Sequence, residues 1–109
     1  MTWRSDFQGP GLSLSAEADA WDTLLNRNYQ VSLEAAADVD AELNESGTTS
    51  EAEADLRTAQ RAWIAFRDAE CDRQFSFYAG GTIRTVVYAQ CQLSMTAERA
   101  LALAPEPGN

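Results

Sequence analysis

Two cysteines placed almost symmetrically about a glycine pair constrain this chain more than any other feature. Cys71 precedes Gly80 by nine residues, and Cys91 follows Gly81 by ten. If the glycines turn the chain between two antiparallel helices, the two sulfur atoms face each other across the hairpin. A disulfide closing a loop of about 21 residues would contribute roughly 3 kcal/mol to stability and would indicate an oxidising compartment. The alternative is two free, buried cysteines.

The spacing of apolar residues before the hairpin is also helical. Intervals of three and four predict one long amphipathic helix from about 16 to 45, with Ser15 as its N-cap. Its predicted inner face consists of Leu14, Ala18, Trp21, Leu25, Tyr29, Leu33 or Ser32, Ala36, Val39 and Leu43. Residues 45–50 break this pattern.

Two further helices follow. A capping box of Ser50 and Glu53 predicts the start of the second helix, and a left-handed glycine at Gly80–Gly81 its end. Thr82 is expected to cap a third helix from about 83 to 104. The predicted inner faces are Leu56, Ala59 or Gln60, Trp63, Arg67, Cys71, Gln74 or Phe75 and Tyr78 in the second helix, and Val86, Val87, Gln90, Cys91, Leu93, Ala97, Ala100 and Leu101 in the third.

These segments predict an all-α fold. We expect a small antiparallel bundle of three main helices, in which the long first helix lies against a disulfide-stapled helical hairpin. The single domain would cover 14–104, between an irregular N-terminal arm at 1–13 and a C-terminal tail at 105–109. No apolar run approaches the roughly 18 residues that suggest a membrane span.

The charge of the chain restricts its partners. The net charge is −9, and all eight basic residues are arginine. Residues 1–55 hold 12 acidic residues and two arginines. This acidity favours a cationic protein partner and excludes nucleic acid, whose phosphates need Lys/Arg stripes. Plain solubility is the simpler explanation of the same charge.

The absence of histidine removes most catalytic chemistry. Neither a Ser–His nor a Cys–His nucleophile pair can form, and two cysteines alone make no structural zinc site. A carboxylate-based peptidoglycan hydrolase would need two carboxyl groups about 5 to 9 Å apart in a cleft, and no spacing here places them so. The acidic segment from Asp38 lacks the glycine and glutamate of an EF-hand loop, since Leu43 and Thr49 occupy those positions. We predict no enzyme activity, metal or cofactor.

Arg67 is the charged residue whose position needs an explanation. It follows Trp63 by four residues and precedes Cys71 by four, so the helical period places it on the buried stripe. A buried arginine must find acceptors. We expect it to bond to Asp22, which lies one turn from Asn26 on the first helix, or to backbone carbonyls at a helix end.

Asp68 is expected to point elsewhere. Neighbours on a helix do not face each other, so Asp68 and Arg67 are not predicted to pair. Its expected partner is Arg99 on the third helix or Arg27 on the first. We interpret this whole polar set as scaffolding between helices rather than as a catalytic site.

Several segments together resemble the LprI-like lysozyme inhibitor family. They are "WDTLLNRNY" at 21–29, "AQRAWIAFRDAEC" at 59–71, "GGT" at 80–82, Cys91, and "TAERALAL" at 96–103. The resemblance covers about residues 18–103. It implies a small helical bacterial domain, exported and in many members lipid-anchored, that binds and inhibits lysozyme. Members often carry a further cysteine pair in the N-terminal part, and this sequence has none before Cys71.

The resemblance leads to an expected partner and surface. We expect a periplasmic or secreted monomer or weak dimer, without cofactor, that binds a basic lysozyme-type protein. The turn "FYAGGTIR" is the candidate contact loop, against the alternative of a plain helix–helix turn; its residues of interest are Tyr78, Gly80, Gly81, Thr82 and Arg84. The alternative function is a non-catalytic cell-envelope interaction module without lysozyme activity, in which Trp3 and Phe7 of the arm dock on a partner.

Overall fold

The computed structural model describes residues 13–105, and within that range it contains three α-helices and no strand. Helix α1 spans Leu14–Glu45, α2 spans Ala52–Phe77, and α3 spans Arg84–Ala102. The predicted all-α fold with one long first helix is confirmed. Trp3 and Phe7 lie outside the described residues.

Two hydrogen bonds fix the register of α3 against α1. The Asn28 side-chain amide donates to the Ala100 carbonyl at 2.8 Å, and the Ser32 hydroxyl donates to the Leu103 carbonyl at 3.2 Å. The two helices therefore run in the same direction, with the start of α3 about level with the start of α1. Because α3 ends beside Ser32, residues 34–45 of α1 extend past it alongside α2.

The central helix of the bundle is α3. It supplies most of the buried apolar side chains, and its Leu93 is fully buried. The buried apolar set is Leu25, Leu33, Cys71, Cys91, Leu93, Ala97 and Ala100. A helix that packs against two others buries residues on more than one face, which explains the dense run of buried positions from Cys91 onward.

Some predicted inner-face residues are exposed. On α1 these are Val39 and Leu43, because this end of the helix runs past α3. On α3 the prediction was wrong for Val86 and Leu101, which are 52% and 61% exposed. The prediction gave the third helix a wider inner face than the one that α1 and α2 cover.

The N-terminal cap of α1 differs from the prediction by two residues. Ser13, rather than Ser15, has the extended backbone of an N-cap, and its hydroxyl accepts a hydrogen bond from the Ala16 amide at 3.1 Å. Both serines precede the same acidic first turn, so the sequence pattern alone did not distinguish them.

The predicted capping box of α2 is wrong, because a carboxylate from α1 caps this helix. Asp40 accepts hydrogen bonds from the Ser50 hydroxyl at 2.6 Å and from the amides of Ala52 and Glu53 at 2.7 and 3.0 Å. Ser50 therefore donates to Asp40 instead of accepting from the helix. The hydrogen bond from Ser50, followed by that from the Glu53 amide, lowers the pKa of Asp40 below its usual value.

The turn between α2 and α3 also forms without the predicted caps. The α2 helix ends at Phe77, and the amide of Tyr78 donates to the carbonyls of Gln74 and Phe75. Bonds to the residues three and four positions earlier satisfy the last carbonyls of the helix, so no residue with a left-handed backbone is needed. Among the described residues, only Gly47, in the other turn, has a positive φ (94°).

Helix α3 begins without a side-chain cap, so Thr82 is not the N-cap that the sequence predicted. Ile83 occupies that position with a right-handed helical backbone. The helix grows directly out of the preceding turn, and the Val87 amide donates to the Ile83 carbonyl at 2.9 Å.

Candidate functional site

The predicted disulfide between Cys71 and Cys91 is present. Their Cα atoms are 5.6 Å apart, Cys71 is fully buried, and Cys91 is 6% exposed. The bond joins α2 to α3 below the turn and holds the two helices of the hairpin in register. We call the tip of this hairpin, residues 77–84, the apex.

The apex is the most exposed apolar part of the described chain. Phe77 is 75% exposed, and Ile83 and Tyr78 are 53% and 43% exposed. Phe77 and Tyr78 contact each other edge to face, with ring centroids 5.2 Å apart. Phe77 and Tyr78 thus pack against each other at the tip.

The glycines of the apex are not required by the fold. Neither has a left-handed backbone. A Cβ built at Gly80 would meet nothing within 4 Å, and one at Gly81 would make only ordinary contacts of 3.9 to 4.0 Å. Two neighbouring positions at the tip thus present bare backbone to the solvent without a conformational or packing reason in the described structure.

Arg84 fastens the apex to the end of α2. Its guanidinium donates to the Ala79 carbonyl at 3.1 Å and lies over the Phe75 ring at 5.1 Å from the centroid. Phe75 in turn contacts Tyr88 edge to face. The five residues of the predicted contact loop are all exposed, namely Tyr78, Gly80, Gly81, Thr82 and Arg84. Arg84 is in addition bonded within the hairpin.

An apolar groove runs down from the apex along α3. It has a volume of about 360 Å³ and lies beside the disulfide. Its lining residues are Gln74, Ile83, Val86, Val87, Gln90, Cys91, Ser94 and Met95. The exposed Ile83 belongs to both features, so the groove continues the apolar surface of the apex.

Arg67 does not bond to Asp22, so that prediction was wrong. Its Nε donates to the Asp68 carboxylate at 3.0 Å, and its Nη1 donates to the Thr96 hydroxyl at 3.3 Å. The expectation that Arg67 and Asp68 do not pair was also wrong. An arginine side chain is long enough to bend along the helix surface and reach the adjacent carboxylate. Asp22 and Asn26 are exposed on α1.

Asp68 accepts its second hydrogen bond from Gln92, at 3.2 Å, and not from Arg99 or Arg27. Burial alone would raise the pKa of Asp68, but the hydrogen bonds from Gln92 and Arg67 outweigh it and lower that pKa below its usual value. Asp68 is therefore ionised at neutral pH and suits an ion pair better than proton transfer.

Arg99 completes this cluster from α3. Its Nε donates to the Gln60 side-chain oxygen at 2.9 Å. The guanidinium groups of Arg67 and Arg99 lie 5.0 and 5.8 Å from the centroid of the same ring, that of Trp63. We call the set Gln60, Trp63, Arg67, Asp68, Gln92, Thr96 and Arg99 the arginine cluster. Two segments distant in the sequence, 60–68 and 92–99, thus meet at one place.

The end of the bundle opposite the apex is acidic, and we call it the acidic end. The C-terminal part of α1 and the start of α2 carry Asp38, Asp40, Glu42, Glu45, Glu51, Glu53 and Asp55. The last turn of α1 has no basic residue, although a cation there would be favoured by the helix dipole. The described residues contain no group of three or more side chains placed to hold a metal ion, and no described helix is long and apolar enough to cross a membrane.

Sequence reasoning missed two features of these surfaces. It placed Phe77 at the start of the candidate turn "FYAGGTIR" but not among the contact residues, because it ended the second helix only at Gly80–Gly81. It also did not assemble the arginine cluster, although Gln60, Trp63 and Thr96 all lie in segments used for the resemblance. Two arginines sharing one tryptophan ring leave no signal in spacing, since the contact joins separate helices.

Comparison with known proteins adds one family and one relative. The family described as lysozyme inhibitor LprI matches residues 13–103. An uncharacterized protein of Rhizobium meliloti (strain 1021) is 31% identical over 91 residues, which cover 81% of this chain and 66% of that protein. The chain thus spans just under two thirds of that relative's length. No solved structure matches.

Proposed function

Because the chain belongs to the LprI lysozyme inhibitor family, we propose that it is an exported bacterial protein that binds a basic lysozyme and blocks the substrate groove with its apex. Members of this family are inhibitors rather than catalysts. The lack of histidine is consistent with that role, since the commonest general base is missing.

The observation that carries this proposal is the bare backbone of the apex. The fold gives no reason for glycine at position 80, because its φ is not left-handed and a side chain would have room. A surface without side chains allows another molecule to approach the backbone closely. Phe77 and Tyr78 flank this surface, and aromatic side chains are the usual anchors of protein interfaces.

The construction of the apex also suits insertion. The disulfide joins the two helices that carry the apex. Within the apex, the Arg84 guanidinium donates to the Ala79 carbonyl and closes the turn. A loop that is already ordered loses little conformational entropy on binding, so more of the contact energy appears as affinity.

The acidic end lies far from the contact surface proposed at the apex. Helix α2 has 26 residues, so the two ends lie about 39 Å apart at 1.5 Å per residue. The Debye length at physiological ionic strength is about 8 Å, so the acidic end contributes little to a complex formed at the apex. Asp19 and Asp22, exposed near the start of α1, are nearer to it. Inhibition through the apex should therefore persist at high salt.

The first experiment is a cell-wall lysis assay with a basic, animal-type lysozyme, titrated with this protein at low and high salt. Saturable inhibition near stoichiometric ratio at both salt concentrations is the expected result. Inhibition that disappears at high salt would show only that an acidic protein adheres to a basic one, and it would contradict insertion of the apex.

Glycine substitutions test the contact surface within the same assay. Gly80→Ala should leave the free energy of unfolding unchanged or raise it by about 0.4–1 kcal/mol, because it restricts the unfolded chain. It should weaken inhibition at least about fivefold if the added methyl group meets the enzyme. Gly47→Ala is the control: its φ of 94° makes the substitution destabilising by roughly 1 kcal/mol, with inhibition unchanged. The same inhibition by both variants would place the contact elsewhere.

Two exposed phenylalanines on one helix provide a second matched pair. Phe77 is 75% exposed and Phe66 is 60% exposed, so neither substitution by alanine should affect folding much. Phe77→Ala should weaken inhibition and Phe66→Ala should not.

A second candidate function, an envelope interaction module without lysozyme activity, is favoured by one observation. Phe66 and Leu101 are 60% and 61% exposed and lie outside the apex. Exposed apolar residues mark a protein contact where they form one contiguous patch. Absence of inhibition at both salt concentrations would favour this function.

A further inference from the structure

Within residues 13–105, Arg99 is a half-buried cation without a carboxylate partner. No Asp or Glu oxygen among residues 13–105 lies within 4.0 Å of its guanidinium. The exposed Arg57 and Arg73, by contrast, each have a glutamate, at 2.9 and 2.7 Å. Removal from water makes an unpaired charge more costly, so a carboxylate partner would be expected for the half-buried Arg99 before the exposed arginines. The C-terminus of α3 favours the charge of Arg99 but offers it no carboxylate.

The guanidinium of Arg99 is nevertheless held in a fixed place. Its Nε donates to Gln60, which is only 6% exposed, and its Cζ lies over the Trp63 ring, 5.8 Å from the centroid. Arg67 lies against the same ring and donates to Thr96, which is 4% exposed. Cation–π contact with tryptophan offsets the repulsion between the two cations. Both charges are thus oriented by buried neighbours before any ligand arrives.

Most hydrogen-bond donors of Arg67 and Arg99 have no acceptor among the described residues. Each guanidinium carries five N–H donors, and the described residues accept three hydrogen bonds from the two groups together. None of these three involves the Nη atoms of Arg99. Asp68 is the one carboxylate bonded to the pair, and it is also occupied by Gln92. Two positive charges therefore share one negative charge.

We propose that Arg99, assisted by Arg67, binds the carboxylate group of a ligand. The two Nη atoms of a guanidinium match the two oxygens of a carboxylate in a planar, bidentate contact. Such a ligand would neutralise the excess positive charge and use the donors that the fold leaves without acceptors. Trp63 keeps the donor edge in position, which is the pre-organisation that an anion site requires.

This site is separate from the apex. Arg99 lies near the end of α3, whose 19 residues span about 28 Å at 1.5 Å per residue. The inference goes beyond lysozyme binding and does not depend on it. The carboxylate could belong to a free small acid or to an Asp or Glu side chain of a partner protein, and the experiment separates these sources.

The test is an NMR titration of the ¹⁵N-labelled full-length chain with sodium acetate, with sodium chloride at equal ionic strength as the reference. The signals of Arg99 Nε–H and the Trp63 indole N–H should shift saturably, with a midpoint on the order of tens of millimolar. The signal of Arg57 should follow the chloride series. Shifts of Arg99 and Trp63 no larger in acetate than in chloride would overturn the proposal.

Variants identify the group responsible. Arg99→Gln should abolish the saturable shift of Trp63, and Arg99→Lys, which keeps the charge but not the planar fork, should weaken binding at least threefold. Arg57→Gln, which removes an exposed arginine, should change nothing. Saturable binding that survives in Arg99→Gln would refute the assignment. If that variant does not fold, the acetate and chloride series on the unaltered protein decide alone.

The source of the carboxylate is settled by a second ligand. A capped tripeptide with a central glutamate that binds at least tenfold tighter than acetate would indicate a partner protein, and its glutamine analogue should not bind. Equal affinity for acetate and the peptide would indicate a small free acid. Binding of the glutamine analogue as tightly as the glutamate peptide would contradict a carboxylate site.

Discussion

The bridge between Cys71 and Cys91 allows a quantitative test of what stabilises the hairpin. The two residues are 20 apart in sequence. The chain-entropy relation for a closed loop of this size gives about 11 cal/mol/K, or about 3 kcal/mol at 25 °C. For a chain of this length, that difference corresponds to a fall in Tm on the order of 12–25 °C.

The two sulfur atoms also fill space in the core. Cys71 is fully buried and Cys91 is 6% exposed. Replacing both by alanine removes this packing as well as the covalent bond, and we expect a further loss of about 1–2 kcal/mol. The reduced protein keeps the sulfur atoms, so it isolates the effect of the bond.

The assay is urea unfolding, followed by circular dichroism, of three species: the oxidised protein, the protein refolded in a thiol reductant, and the Cys71→Ala/Cys91→Ala variant. We expect the free energy of unfolding to decrease in that order. A reduced protein within about 1 kcal/mol of the oxidised protein would refute the loop-entropy argument. Equal stability of the reduced protein and the alanine variant would refute the packing argument.

Three further predictions concern the core, the interhelix cap and the acidic end. Leu93→Ala, at a fully buried position, should destabilise the protein by about 2–5 kcal/mol in urea unfolding, whereas Leu101→Ala, at a 61% exposed position, should cost less than about 0.5 kcal/mol. The pKa of Asp40 is lowered in the folded state, so its contribution to stability is fully present above the unfolded value of about 4 and disappears as the pH falls through the lower folded value. Asp40→Asn should therefore destabilise the protein at pH 7, and the difference from the unaltered protein should shrink as the pH falls below about 4; a urea-midpoint difference that stays constant over this range would contradict this assignment. Glu42→Gln/Glu45→Gln should reduce the association rate with a basic lysozyme at low salt but not at high salt, as measured by stopped-flow fluorescence; an equal reduction at high salt would place direct contacts at the acidic end.

The sequence was sufficient for features that depend on regular spacing or on one covalent bond. The helical period predicted three helices, and the near-equal distances of Cys71 and Cys91 from the glycine pair predicted the disulfide that the structure contains. A hairpin leaves few ways to place two such residues on facing sides, so local geometry determined the result.

The sequence was not sufficient for contacts between helices. Asp40 replaces a local capping box because the first helix places a carboxylate beside the start of the second. Asp40 and Glu53 are only 13 residues apart in sequence, but their contact depends on how the two helices pack. Arg67 likewise had several acceptors within reach of its flexible side chain. It bonds to Asp68 on its own helix and to Thr96, 29 residues away, and the second bond depends on how α3 packs against α2. Spacing predicts which face a residue occupies but not which partner lies opposite.

Because the helices have unequal lengths, the two ends of the molecule differ in how closely they are packed. Residues 34–45 of α1 extend beyond α3 and, of the described helices, have only α2 beside them, whereas the end near the apex contains all three helices and the disulfide. Local opening requires the least free energy where fewest neighbours must be lost. Amide hydrogens should therefore exchange fastest in the acidic end and slowest around Leu93. A partner bound at the apex would therefore slow amide exchange little in the helices near it. Its binding would change exchange mainly in the tip, residues 77–84.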